Sequence, residues 1–167
     1  SGPFIVDTLA DESDGDFSAG DFSLREAIEL ANGTTGLDEI QFAAGLSGNT
    51  ITLNVGQLLV TDDLTITGLG ASNLTISGGD SFRVFDLQSN PDVVIDGLTI
   101  TGGHTSGTVQ AGAAFRSTGN LQILNSVVTN NRTTGAQSDA GGIFQGASGT
   151  LTISNSTISN NTTATDL

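Results

Sequence analysis

Residues 64–79 read LTITGLGASNLTISGG, two four-residue runs that alternate apolar with hydroxyl side chains, joined by a glycine-rich turn. Alternation with period two is strand chemistry, and Gly-Leu-Gly-Ala-Ser-Asn is turn chemistry. Strands this short bury little by themselves, so the question is whether they recur. They do. The first run returns as VVID at Val93, LQIL at Leu121 and LTIS at Leu151. The second returns as GLTITGG from Gly97, NSVVTNN from Asn125 and NSTISNN from Asn155. A third kind, RVFDL from Arg83, AAFRS from Ala113 and GGIFQ from Gly141, completes each unit. A looser earlier copy runs through Ile40–Phe42, Thr50–Leu53 and Leu58–Thr61.

Successive members lie about 24–30 residues apart, giving about five units. Turn pairs seldom fall at hairpin distance between adjacent runs, which argues against an antiparallel meander. Three short strands per unit of nearly constant length predict one coil of a parallel solenoid, each strand pairing with its counterpart one coil away. The expected fold is all-β, a parallel β-helix of about five coils, right-handed by analogy with parallel crossovers. Inward rows are predicted at Leu64/Ile66, Val93/Ile95, Leu121/Ile123 and Leu151/Ile153. A second set is Leu74/Ile76, Leu98/Ile100, Ser126/Val128 and Ser156/Ile158. Phe85, Phe115 and Phe144, spaced by 30 and 29, are expected to stack as a column. Asn130-Asn131 and Asn160-Asn161 fall where earlier coils have Gly78-Gly79 and Gly102-Gly103, so left-handed turns and an amide ladder are expected there. The N-x-S/T triplets at Asn73, Asn131, Asn155 and Asn161 are read as turn chemistry in preference to glycosylation acceptors.

One segment breaks the pattern. Residues 21–33, DFSLREAIELANG, specify a helix. Ser23 and Glu26 form an S-x-x-E capping box, and Leu24, Ala27, Ile28 and Ala31 make an apolar face. Asn32-Gly33 supplies a stop signal. Arg25, Glu26 and Glu29 are expected to face water. Because a solenoid's first coil leaves unpaired backbone and an open apolar cross-section, the helix is read as its lid. Residues 1–45 are then an N-terminal strand, acidic loop and capping helix, and 46–167 are coils of the same structural domain.

The block IVDTLADESDGDFSAGDFSLREAIELAN (residues 5–32) resembles the N-terminal capping motif known as CSLREA. That motif opens bacterial surface and secreted proteins built from right-handed parallel β-helix repeats, of the polymorphic outer-membrane and adhesin-like kind. The repeats DLTITGLGASNLTISGG and NSTISNN are similar to those that follow it. The resemblance implies an extracellular or cell-surface setting. The family commonly has cysteine just before SLREA and another upstream; this chain has Phe22 and Phe17 nearby, so a hydrophobic contact is expected in place of a disulfide.

Composition limits the functional classes. The 167 residues hold 23 Gly, no Cys, Met, Trp or Tyr, one His and a net charge of −14, and all four cations are arginine. Such acidity argues against nucleic acid or an anionic membrane surface as partner, and no stretch approaches a membrane span. The opening Ser1-Gly2-Pro3 reads as a processed or excised start. The closing stretch from Asn160 to Leu167 carries no cap signal, so either further coils follow in the parent or the open end self-associates.

The candidate sites follow from charge and loop length. Asp11, Glu12, Asp14, Asp16 and Asp21, interrupted by glycines, are a candidate calcium set, since calcium takes six to eight oxygens. No cofactor is otherwise required. The loops Gly102–Gly112 and Arg132–Gly141 are expected to present His104, Arg132 and Asp139 to a carbohydrate or another surface protein. A lyase or hydrolase would draw on Asp62, Asp63, Asp80, Asp86, Asp92, Asp96 and Asp139 with Arg83, Arg116, Arg132 and His104, but Arg83 and Arg116 form no aligned pair, and a non-enzymatic role is preferred. The outward Thr/Ser positions of the second strand, broken by Val127, offer an ice-binding face as a lesser alternative.

Overall fold

The computed structural model describes residues 2–164; Ser1 and the closing Thr165, Asp166 and Leu167 lie outside the described residues. Four parallel sheets wrap one core, each built by taking one strand from successive coils. The first sheet runs Phe4–Val6, Asp38–Phe42, Leu64–Thr67, Asp92–Asp96, Asn120–Leu124 and Leu151–Ser154. The second runs Asn49–Thr52, Leu74–Ser77, Thr99–Thr101, Val127–Thr129 and Thr157–Ser159. The third holds His104–Ser106, Arg132–Thr134 and Thr162–Ala164. The fourth holds Leu58–Val60, Phe85–Leu87, Phe115–Ser117 and Ile143–Gln145. The chain is an all-β parallel β-solenoid of about five turns with a single α-helix among the described residues.

Register follows the apolar alternation. Ile40, Ile66, Ile95, Ile123 and Ile153 align one above another through the first sheet. Ile51, Ile76, Ile100, Val128 and Ile158 do so through the second. A one-residue slip would turn every one of these outward, and burying each of those before the last coil contributes about 1.5–3 kcal/mol, so the register is strongly specified. One apolar cluster extends from Val6 and the helix to Val128, crossing the boundary drawn at residue 45. In the last described coil Leu151, Ile153 and Ile158 are exposed.

Two expectations need correction. Phe85 and Phe115 stack with centroids 5.2 Å apart and planes within 5°, but Phe144 pairs in register with Arg116 and points outward, while Ile143 continues the column. Backbone contacts decide this: Ala113 and Ala114 donate to the carbonyls of Gly141 and Gly142, which fixes the register one residue ahead of the aromatic count. The second correction concerns the long loops. Each begins with a three-residue strand, His104–Ser106 or Arg132–Thr134, which gives the later coils a fourth side.

The turn reading holds where it is sharpest. Gly102, Asn130 and Asn160 occupy one turn with φ of 59°, 56° and 53°. Next to it Asn131 donates to Thr129 O and Asn161 Oδ1 at 3.0 and 2.9 Å, and its own Oδ1 accepts from Gly103 N. Asn131 is completely buried, so that triplet offers no accessible acceptor amide.

Candidate functional site

The front of the stack shows what the helix does. Spanning Leu24–Gly33, it packs on the strands Leu58–Val60, Phe4–Val6 and Asp38–Phe42. Leu24, Ala27, Ile28 and Ala31 are buried as the spacing predicts, and the capping box is present, Ser23 Oγ accepting from Glu26 N and Glu26 Oε2 from Ser23 N. Phe17 and Phe22 meet edge to face at 5.7 Å, with Phe4 on the other side of Phe22 at 6.4 Å. An aromatic cluster stands where the resemblance implies cysteines.

Arg25 and Asn32 depart from expectation. Arg25 is buried, donating Nε and Nη2 to Asp11 at 2.7 and 3.1 Å and reaching the carbonyls of Gly56 and Gln57. Asn32 is no helix stop: the cap residue is Thr34, in extended conformation. Its side chain instead donates to Leu59 O and accepts from Thr61 N. Leu58–Val60 is an edge strand, so these two polar side chains satisfy backbone groups that the first coil leaves open. Alternation hid this role, because a lid must be polar where it meets a strand edge. Glu26 is buried too, its Oε1 accepting from the amides of Asp14 and Gly15. Burial opposes its ionisation, but these amides and Ser23 more than reverse that, holding its carboxyl below the usual range.

Of the five candidate calcium ligands, Asp11 is engaged elsewhere. Asp11 turns inward to Arg25, and its Oδ2 accepts from Asn54 N at 2.6 Å and Val55 N at 2.9 Å, so both its oxygens are engaged by the fold. Asp14 and Asp16 accept from amides two residues on. Desolvation, reinforced by neighbouring carboxylates, raises the carboxyls of Glu12 and Asp21. Among the described residues no three acidic or imidazole side chains are gathered to hold a metal.

A second site lies where the third sheet begins. The first two coils have no third-sheet strand, and the chain turns directly through Ser81 and Phe82 into Arg83. The strand His104–Ser106 is therefore the sheet's edge and overhangs this short turn, leaving an open cleft of about 310 Å³. Arg83, only 5% exposed, forms part of its wall. It donates to Gly112 O, Gln57 Oε1, Gln110 Oε1 and Ala111 O, all neutral acceptors at 2.8–3.1 Å. Among the described residues the ion pairs are Arg25–Asp11 and Arg116–Asp86, so Arg83 touches no carboxylate. Burial is the main influence lowering its pKa, followed by the charge of Arg116.

Asp86 and Arg116 align in register and form a bidentate pair at 2.7 and 2.6 Å. Burial opposes ionisation of Asp86, but Arg116 and Gln88 outweigh it, keeping the carboxyl below its ordinary range. Gln57 bridges the groups, accepting from Arg83 and donating to Asp86 Oδ2. Arg83 thus reaches Asp86 only through the neutral amide of Gln57. Sequence reasoning named Arg83 only among the cations a lyase or hydrolase would draw on and passed over Gln57, although the offset of one from each column phenylalanine marks Asp86 and Arg116 as a pair, and Arg83 shares the inward parity of Phe85.

The predicted loop residues are brought partly together. His104 and Arg132 are neighbours in register. The His104 ring is fixed, Nδ1 at 3.0 Å from Asp80 O and Nε2 at 3.1 Å from Thr134 Oγ1, an arrangement met by an Nδ1–H donor. Asp139 is exposed on the next loop, bridged to Ala111 and donating its amide to Gln110 O. Of the candidate acids, Asp63 accepts from Asp92 N, Asp92 from Asn120 and Asp96 from Asn125, all bonds between coils. On the second sheet Thr50, Thr75, Thr99, Val127 and Thr157 form one outward column, and Thr52, Ser77, Thr101, Thr129 and Ser159 another. Comparison with family models, with curated proteins and with solved structures returned no match.

Proposed function

We propose that the chain is a non-enzymatic, adhesion-type β-solenoid segment of a secreted or cell-surface bacterial protein, a rigid rod presenting its third-sheet corner to a partner. The observation that carries this reading is the use of its acids. Asp11, Asp63, Asp86, Asp92 and Asp96 are each bonded within or between coils, whereas general acid–base work needs a carboxyl free to meet substrate. The cap resemblance supports the setting. Beads coated with the protein should adhere to surfaces bearing extracellular polysaccharide more strongly than beads coated with an Arg132→Glu variant. No new reducing ends or unsaturated uronates should appear. Cleavage in proportion to protein concentration, or equal adhesion by both, contradicts the reading.

The runner-up, a carbohydrate-binding or carbohydrate-active β-helix, is favoured by the polar cleft beside Arg83. The threonine and serine columns favour ice binding, for which thermal hysteresis is the measurement.

A further inference from the structure

Arg83 is an anomaly. A guanidinium this buried ordinarily has a carboxylate beside it, because removing a charge from water without a counter-charge is costly. This chain has carboxylates in excess, 18 against four arginines, yet among the described residues none is placed on Arg83. Four neutral oxygens orient it, taking four of its five N–H groups and leaving one Nη1 hydrogen without an acceptor among the described residues.

The rest of the cleft is furnished for a polyhydroxylated ring. Phe82, half-buried, offers an apolar face, and Ser81 and Ser106 offer hydroxyls. Along a parallel strand alternate residues point their backbone groups the same way. His104 N donates to Phe82 O across the free edge, so Ser106 presents its amide and carbonyl to that side too, where the third sheet has no strand. The free edge is three residues long, too short to hold a peptide by strand addition, and 310 Å³ is room for about one sugar ring. Nearby charge does not fill the vacancy: Asp86 is matched by Arg116, and Asp80 and Asp139 are solvent-exposed. In a protein of charge −14, a local positive centre selects a ligand that brings its own negative charge.

We infer that the cleft between the Ser81–Arg83 turn and the edge strand His104–Ser106 binds a carboxylated sugar, its carboxylate on Arg83 and its ring against Phe82. This deepens the proposed adhesive role and rests on it. Titration of the full chain with methyl β-glucuronide, followed by ligand-observed NMR, should show saturable binding that weakens with added salt. The neutral methyl β-glucoside should not compete. Ser106→Trp, at an exposed position outside the Arg83 network, should fill the cleft and abolish binding without changing the melting temperature. Arg83→Gln should weaken binding about tenfold or more, as expected for a lost charged hydrogen bond. An acetylated glutamate peptide is the competing source of carboxylate and should bind at least about tenfold more weakly for want of the ring contacts. Absence of glucuronide binding, equal binding of the glucoside, tighter binding of the peptide, or undiminished binding by Ser106→Trp overturns the inference and leaves the scaffold reading standing. Binding accompanied by glycoside cleavage overturns the non-enzymatic reading instead and leaves the ligand class intact.

Discussion

Replacing Asp11 by alanine should lower the unfolding free energy by about 3–5 kcal/mol, the usual cost of removing one partner from a buried ion pair. Arg25 would keep the carbonyls of Gly56 and Gln57 but lose its counter-charge, and the amides of Asn54 and Val55 would lose their acceptor. The damage falls where the lid is fastened to the first coil. Urea midpoints for wild type and Asp11→Ala measure it. A double replacement, Asp11→Leu with Arg25→Met, should be milder, because no charge is then left stranded. Acid should act on the same pair. Burial raises the Asp11 carboxyl, but the Arg25 hydrogen bond and the two amides more than offset that, so its folded pKa lies below the unfolded value. The stabilisation is therefore complete above the unfolded value of about 4 and is lost as pH falls through the depressed folded one. The gap between wild type and Asp11→Ala should narrow over that range.

Phe115→Ala should cost about 3–5 kcal/mol, and Phe144→Ala less than about 1 kcal/mol. Phe115 is fully buried and stacked on Phe85, whereas Phe144 is 37% exposed and paired with no aromatic ring. The two changes delete the same atoms, so the contrast isolates position. Thermal denaturation of both variants reads it directly. Equal losses would mean that the column continues through Phe144 and that the register of the fourth sheet is wrong.

That contrast also marks how far the sequence could be read. The solenoid was legible because its inward isoleucines recur with their turns, and each Ile in the first-sheet column follows from the one before. Phe144 was misplaced because an aromatic repeat is a weaker ruler than the small residues beside it: two glycines beneath two alanines admit one backbone register. The lid was legible as an amphipathic helix, but not the part of it that faces an edge strand. There Arg25 and Asn32 are polar because the surface they cover is polar. The pairing of Asp11, a member of the calcium set, was hidden for a related reason. Spacing along the chain does not reveal that Asp11 is claimed by a residue fourteen positions later. The cleft was least legible, since it exists only because the first two coils lack a side that later coils possess.

The central claim is that like strands of successive coils lie side by side, parallel and in register. Because the chain has no cysteine of its own, disulfide trapping tests it on a clean background. In the first sheet Asp92 faces Asn120 and Asp96 faces Leu124, at about 4.8 Å, within disulfide reach. Cysteine pairs at 92/120 and at 96/124 should both oxidise to intramolecular disulfides in the folded protein. The diagonal pairs 92/124 and 96/120, about 13 Å apart along the strand, should remain reduced; cross-linking of the diagonals in preference to the direct pairs would show neighbouring strands running in opposite directions and contradict the account.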